Sequence, residues 1–404
     1  MSFNIQSHRE LTQVETKQDS ALGIMRWGTD NSFPQTLKNL VEQSATAKPA
    51  VERTAKFLKG AGFEGENTIV SPYGLTLKQV VSIVADDYAL FKAFGIHCNF
   101  NVDGEVVSMN PMRIAELRFN EFDELNFASK IGYHSNFGRN SEVKKKTADF
   151  ATKDKIKWID RFNPESVEAQ IRKIGEKSKT AEGEVAIMLE GISKFQGQLL
   201  YHSDAGHSSY PISPLQAPVN YVLSDVENSI LVRKETSTGF INSYILKTTL
   251  DSEDTTLHAL ESAIDEAQGA RGNGKIITMS GLTPEEMSNS VLEEIGGGAG
   301  ASKAVIESCA LSYELSQKVI NGVFMIPPIL AGADQKTGFS SADLKDAYFV
   351  FNANTQGGRD VIEAEITRIL SNSIFKTKSI KIKKLKLDED EEEIEEVPIK
   401  NKDQ

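Results

Sequence analysis

Apolar residues recur at steps of three and four along several long stretches of this chain and alternate with polar ones in shorter stretches. Helices and strands are therefore both predicted. The turn-rich segment Arg26-Trp-Gly-Thr-Asp-Asn-Ser-Phe-Pro34 leads into Leu37, Leu40 and Val41 at helical spacing. A second helix runs from Pro49 through Val51, Ala55 and Leu58 to Gly60, with proline at its start and glycine at its stop. Leu77, Val80, Val81, Val84, Tyr88 and Phe91 share one face of a helix over 76–94, which Gly95 is expected to end. Ile96–Asn101 and Glu105–Met109 then read as two strands joined by the hairpin turn Asp103-Gly104. Further strands are predicted near 115–119, 130–133, 155–162 and 198–202.

The second half is dominated by long helical patterns. Leu215–Ser237 carries Val219, Val222, Leu223, Val226 and Ile230 on one face. A compact insert follows: a strand over Ile241–Thr249, a helix over Thr255–Gln268 and a strand over Lys275–Met279. Residues 301–322 read as a helix with a stripe of small and medium side chains, Ala301, Val305, Ser308, Ser312, Leu315 and Val319. Such a stripe lets helix axes approach closely. No helix runs through Pro327-Pro328, because each ring removes a donor and clashes with the preceding turn. The helix must therefore end near Val323 and the chain cross a rigid turn and a glycine-bearing loop. Ser340 and Asp343 offer a capping pair for the next helix, whose face continues through Leu344, Ala347, Tyr348 and Phe351. A break is expected at Gly357-Gly358 before Val361, Ile362, Ile366, Ile369 and Leu370 carry the face on. From Lys376 to Leu387 lysines alternate with apolar residues, a pattern for a solvated edge strand or a peripheral contact. Asp388–Glu396 then holds eight acids in nine residues, and 388–404 reads as disordered. The fold class is α+β.

Charge and chemistry narrow the function. At 404 residues the chain suits two or three substructures rather than a single core. A net charge of −12 argues against a protein that grips DNA by neutralising phosphates. Cys98 and Cys309 have no metal spacing and suggest a reducing compartment. Residues 1–20 lack the apolar core of a secretory leader, and no stretch is apolar enough to span a bilayer. Gly269-Ala-Arg-Gly-Asn-Gly-Lys275 has phosphate-loop spacing, but Ile276 stands where a hydroxyl is needed and a strand rather than a helix is predicted to follow. Gly296-Gly-Gly-Ala-Gly-Ala-Ser-Lys303 lacks the lysine–hydroxyl order and reads as a hinge into the next helix. His202, Asp204 and His207 lie close in sequence, in or beside a loop of turn formers with no further ligand nearby. No catalytic residues, metal ligands or cofactor are expected, and the chain does not read as an enzyme.

Five features occur in an order that resembles portal proteins of tailed bacteriophages. They are Asp30-Asn31-x-Phe33-Pro34, Tyr210-Pro-x-Ser213-Pro-Leu215, the strand–helix–strand insert, Ile326-Pro-Pro-x-Leu330-x-Gly332, and Gly338-Phe-Ser-Ser341. The resemblance implies a ring-forming portal fold: a flexible arm (1–25), an α/β wing (26–212), a first stem helix (213–239) and a small α/β clip (240–298). A second stem helix (299–326), a turn and tunnel loop (327–340) and a long wing or channel helix (341–375) follow. The charged, partly disordered tail (376–404) stands in place of a crown. By the same resemblance Asp334, Gln335, Lys336, Thr337 and Gly338 face the channel, the 301–319 stripe packs between subunits, and Pro327-Pro328 form the helix-terminating turn. The implied assembly is a dodecamer at one capsid vertex of the virion, built in the host bacterial cytoplasm, through which double-stranded DNA is packaged and ejected without sequence reading. Its implied partners are the terminase large subunit, the major capsid protein and a head–tail adaptor, with no membrane. Another head–tail connector ring, or a nucleotide-binding α/β enzyme using the 269–275 loop, are the alternatives.

Overall fold

The computed structural model describes residues 16–28, 31–124, 127–137, 153–177, 183–206, 210–237, 243–247, 276–279, 292–295, 298–332 and 341–387. They fall into two compact units. One gathers the described residues of 1–42, 47–219 and 320–404, the other those of 43–46 and 220–319.

The first unit opens with a short antiparallel ribbon, β1 (Gln18–Asp19) and β2 (Ile24–Met25). This corrects the expectation of a free arm for residues 18–25. Ile24 is fully buried, and Asp19 accepts hydrogen bonds from Arg26 Nε at 2.9 Å and from the amides of Ala21 and Leu22. Helices α1 (Phe33–Gln43), α2 (Ala47–Lys59) and α3 (Leu77–Phe91) follow. Thr76 and Gln79 form a reciprocal capping box at the start of α3. Contrary to the expectation that Gly95 stops it, α3 ends at Phe91. Lys92 adopts a left-handed conformation (φ 55°) and donates its amide to Tyr88 O at 2.9 Å. Gly95 instead sits inside a strand, where a Cβ would come within 2.7 Å of Leu117 Cδ1.

That strand is β3 (Ala93–Phe100), which pairs antiparallel with β4 (Val106–Met112) as the turn residues predict. Asn101 Oδ1 accepts from the amides of Asp103 and Glu105 and closes the turn. Strands β5 (Leu117–Phe119), β6 (Lys130–Tyr133) and β7 (Lys157–Arg161) come next, then helices α4 (Val167–Glu176) and α5 (Glu184–Lys194), then β8 (Gln198–Ser203). The six-stranded sheet has the order β4-β3-β8-β7-β6-β5, with only β7–β8 parallel. The α4–α5 pair was not predicted. It closes through two glycines, since a Cβ on Gly175 would overlap the carbonyl of Ile187 and one on Gly191 that of Ile171.

In the second unit, α6 (Val219–Ser237) precedes strands β9 (Ser243–Lys247), β10 (Ile276–Met279) and β11 (Leu292–Ile295), and then α7 (Gly298–Val323). The sheet order is β10-β9-β11, parallel on one side of β9 and antiparallel on the other. β11 was missed because Glu293-Glu294 hide its strand pattern. The predicted helix over 255–268 and the 269–275 loop lie outside the described residues.

The chain closes the first unit with α8 (Pro328–Ala331) and the long α9 (Ser341–Ser371). No break occurs at Gly357-Gly358, which corrects that expectation. A Cβ on Gly358 would lie 2.7 Å from Leu58 Cδ2 and 2.9 Å from Tyr88 Cε1, so this glycine lets α2 and α3 come against an unbroken helix. Phe351, Ile362, Ile366, Ile369 and Leu370 are fully buried there. Arg359, also fully buried, donates Nη1 to Phe57 O at 2.9 Å and Nη2 to Asn352 O at 2.6 Å. A fixed cation thereby meets the carbonyl end of α2, where the helix dipole favours it. Residues 376–387 do not form the expected edge strand. Ile380 and Ile382 are buried, and Glu363 accepts the Ile382 amide at 2.7 Å. Lys383 exchanges backbone bonds with Ala61 and Gly62, both at 2.9 Å.

Candidate functional site

Two of the sequence motifs meet in space. In Trp27–Phe33, Asn31 takes a left-handed conformation (φ 62°) that places its buried side chain at the centre of a cluster. Its Oδ1 accepts from the Trp27 amide at 3.0 Å and from Arg118 Nε at 2.5 Å, and its Nδ2 donates to Phe137 O at 3.2 Å. Arg118 is fully buried and also donates to the carbonyls of Asn31, Ala115 and Leu117. Its guanidinium lies 5.0 Å from the centroid of Phe137 and 5.7 Å from that of Trp27. Trp27 stacks on Tyr210 at 4.6 Å, and Tyr210 stacks on Phe119 at 4.7 Å. The Tyr210 hydroxyl donates to Met25 O at 2.6 Å and accepts from the Phe119 amide at 3.0 Å, while burial pushes its pKa up. Ser213 completes the second motif by donating to Leu90 O at 2.6 Å and accepting from the Leu215 amide. Apart from the bond between Arg118 Nε and Asn31 Oδ1, each of these hydrogen bonds holds a backbone group. The cluster locks the two motifs to each other.

In the second unit, a side-chain hydrogen bond joins α6 to α7. Asn228 Nδ2 donates to Ser312 Oγ at 3.0 Å. One turn earlier on α6, buried Asp225 accepts from Ser44 Oγ at 2.5 Å and from the Thr46 amide at 3.0 Å. The sequence stripe therefore divides. Ser312 is engaged within the chain, and the buried line of α7 runs through Cys309, Ser316 and Ile320. Ser308 is exposed, Val319 is half-buried, and Leu315 is 52% exposed beside Leu311 at 68%. Ala301 and Val305 lie on the same helix.

At its other end, α7 stops at Val323. Met325 turns left-handed (φ 52°), its amide donating to Gly322 O, and the Ile326 amide reaches back to Asn321 O at 3.0 Å. These bonds satisfy carbonyls that a helix end leaves open. Pro327 then caps and Pro328 begins α8, which Gly332 ends at φ 72°. Asn354 Nδ2 on α9 donates to Met325 O at 3.1 Å and holds the turn. Asp334, Gln335, Lys336, Thr337 and Gly338 lie outside the described residues.

His202 and Asp204 form an ion pair. His202 Nε2 lies 3.2 Å from Asp204 Oδ1, Nδ1 lies 3.3 Å from Glu365 Oε1, and the ring stacks on Phe94 at 5.3 Å. Burial opposes the charge, but the two carboxylates outweigh it and raise the imidazole pKa to about 9. Tyr88 donates its hydroxyl to Asp204 at 3.0 Å. Sequence spacing could not reveal Glu365, which lies on α9. Among the described residues no cluster of His, Cys, Asp and Glu is placed to hold a metal ion. Among them, too, no helix is long and apolar enough to cross a membrane. His207 lies outside the described residues.

No protein-family model and no curated protein sequence matches the chain. Solved structures do resemble it. A chain from the virion of a native gene transfer agent particle is 11% identical over 91% of this chain and 86% of its own, with a TM-score of 0.49. A chain from the neck of the native particle is 12% identical, covering 88% and 85%, with a TM-score of 0.44. An HK97 family phage portal protein from Corynebacterium diphtheriae is 11% identical, covering 82% and 89%, with a TM-score of 0.40.

Proposed function

We propose that this chain is a portal subunit, one member of a ring of about twelve at a capsid vertex through which double-stranded DNA passes. The observation that carries the reading is the order of elements in the chain. A long helix (α6), a three-stranded insert (β9, β10, β11), a second long helix (α7), a proline-enforced stop and a third long helix (α9) follow one another. That is the stem–clip–stem–turn–helix order implied by the sequence motifs. The wide exposure of Leu311 and Leu315 on α7 supports the same reading, because an apolar helix face left open in one chain suits burial against a neighbour.

In this reading α6 and α7 are the stem, the insert is the clip that meets terminase and later the adaptor, and the unit built on the six-stranded sheet is the wing against the major capsid protein. The 331–340 loop faces DNA, with Lys336 offering one contact per subunit and Asp334 limiting it. An acidic subunit fits a channel that must not hold phosphates, since each neutralised phosphate adds a salt-dependent grip. The nucleotide-enzyme alternative is disfavoured by β10, which begins at Ile276 directly after Gly274-Lys275, whereas a phosphate loop opens a helix. Native mass measurement of the purified chain is the test. A closed ring of about twelve is expected, and monomer or dimer at all concentrations and salt conditions overturns the proposal.

A further inference from the structure

The described chain ends beside a groove. Asn352 Nδ2 donates to Leu385 O at 2.9 Å and so holds residues 384–387 alongside the first half of α9. Between them lies an open groove of about 720 Å3, walled by Lys345, Tyr348 and Phe349 on one side and by Lys384, Lys386 and Leu387 on the other. Its walls are more apolar than a solvent face requires, with Phe349 75% exposed and Leu387 39% exposed. Its charge is basic, three lysines against the single carboxylate of Asp346. The groove suits a short extended segment that carries both acids and apolar side chains.

Such a segment follows in the same chain. Beyond Leu387 come Asp388–Glu393, all acidic, and then Ile394-Glu-Glu-Val-Pro-Ile399. Acids alone would stay solvated, but Ile394, Val397 and Ile399 supply apolar side chains among them, and Pro398 favours an extended approach. From Leu387 to Val397 the chain reaches at most about 35 Å, enough to fold back into a groove that begins at Leu387 itself.

We propose that this groove is the docking site of the chain's own segment Ile394–Ile399. Its apolar side chains lie against Phe349 and Leu387, and the flanking acids face Lys384 and Lys386. Docking covers the apolar patch and neutralises the basic end of the 376–387 segment, so the lysines there do not recruit phosphate.

Disulfide trapping in the full chain tests this. Cys98 and Cys309 are buried and offer no competing thiol. The double variant Phe349→Cys/Val397→Cys should close an intrachain disulfide under mild oxidation at least tenfold faster than Ile374→Cys/Val397→Cys. Ile374 is a fair control, because it is 54% exposed and lies beyond the far end of α9, more than about 30 Å of helix from Phe349. Adding Lys384→Glu and Lys386→Glu, or raising salt to about 0.5 M, should slow the reaction several-fold. Equal rates for the two cysteine pairs overturn the proposal. A ladder of cross-linked chains in place of the intrachain product overturns it too, because the occupant is then a neighbouring copy.

Discussion

At the scale of single residues, the polar interior is built around two buried arginines. Arg118 and Arg359 are both fully buried, and each spends its planar fork on backbone carbonyls and amide side chains. A lysine could not reproduce those forked bonds. The motif residue Asn31 is conspicuous in sequence, but its partner Arg118 is not, because nothing local marks an arginine as buried. His202 behaves differently, since its charge titrates. Its folded pKa of about 9 lies above the ordinary histidine value, so the stability it contributes is complete below about pH 6.5 and is lost as pH rises through 9. After allowance for solvent screening that loss is on the order of 1–2 kcal/mol. Urea titrations at pH 6 and pH 9.5 should show it in the native chain. His202→Gln should flatten the difference, and an unchanged pH dependence in that variant would remove His202 as its source.

At the scale of elements, adjacent glycines in α9 do opposite things. Gly357 is exposed, with nothing within 4 Å of the place a Cβ would occupy, whereas Gly358 is wedged against Leu58 and Tyr88. Gly357→Ala should therefore stabilise the fold by about 1 kcal/mol through helix propensity and a restricted unfolded state. Gly358→Ala should cost about 2 kcal/mol through overpacking. Chemical denaturation of the pair checks both signs. Read in sequence, the two glycines look alike and suggest a break. Only the packing of α2 and α3 separates a tolerated glycine from a required one. The same logic governs Gly95, which resembles a helix stop but serves the approach of Leu117 to β3. It also governs Gly175 and Gly191, which joined a helix pair that was not predicted.

At the scale of the whole molecule, the proposed ring depends on which face of α7 meets a neighbouring subunit, and the stripe on that helix is divided. Ser312 accepts from Asn228 within the chain, so a bulky residue there would disturb the subunit itself. Ser308 is exposed and offers the cleaner probe. Ser308→Leu should lower the fraction of closed rings while leaving the melting temperature of the subunit within about 2 °C, since surface changes of this kind move stability little. Mass photometry beside calorimetry separates the two effects. Rings formed at the native yield would take Ser308 out of the subunit interface.

What the sequence determined by itself was whatever rests on local physics. Hydrophobic period marked α1, α2, α3, α6, α7 and α9, the Asp103-Gly104 turn paired β3 with β4, and Pro327-Pro328 forced α7 to end. Backbone sterics and side-chain spacing act within a few residues and are legible in one dimension. The tertiary structure alone decided the rest. Tyr210 stacks on Trp27 from far along the chain, Glu365 joins His202 from α9, and residues 376–387 settle on Glu363 and Gly62. Each of these depends on burial and on partners distant in sequence. A lysine-rich segment reads as solvated until a neighbouring carboxylate and a buried face are brought to it.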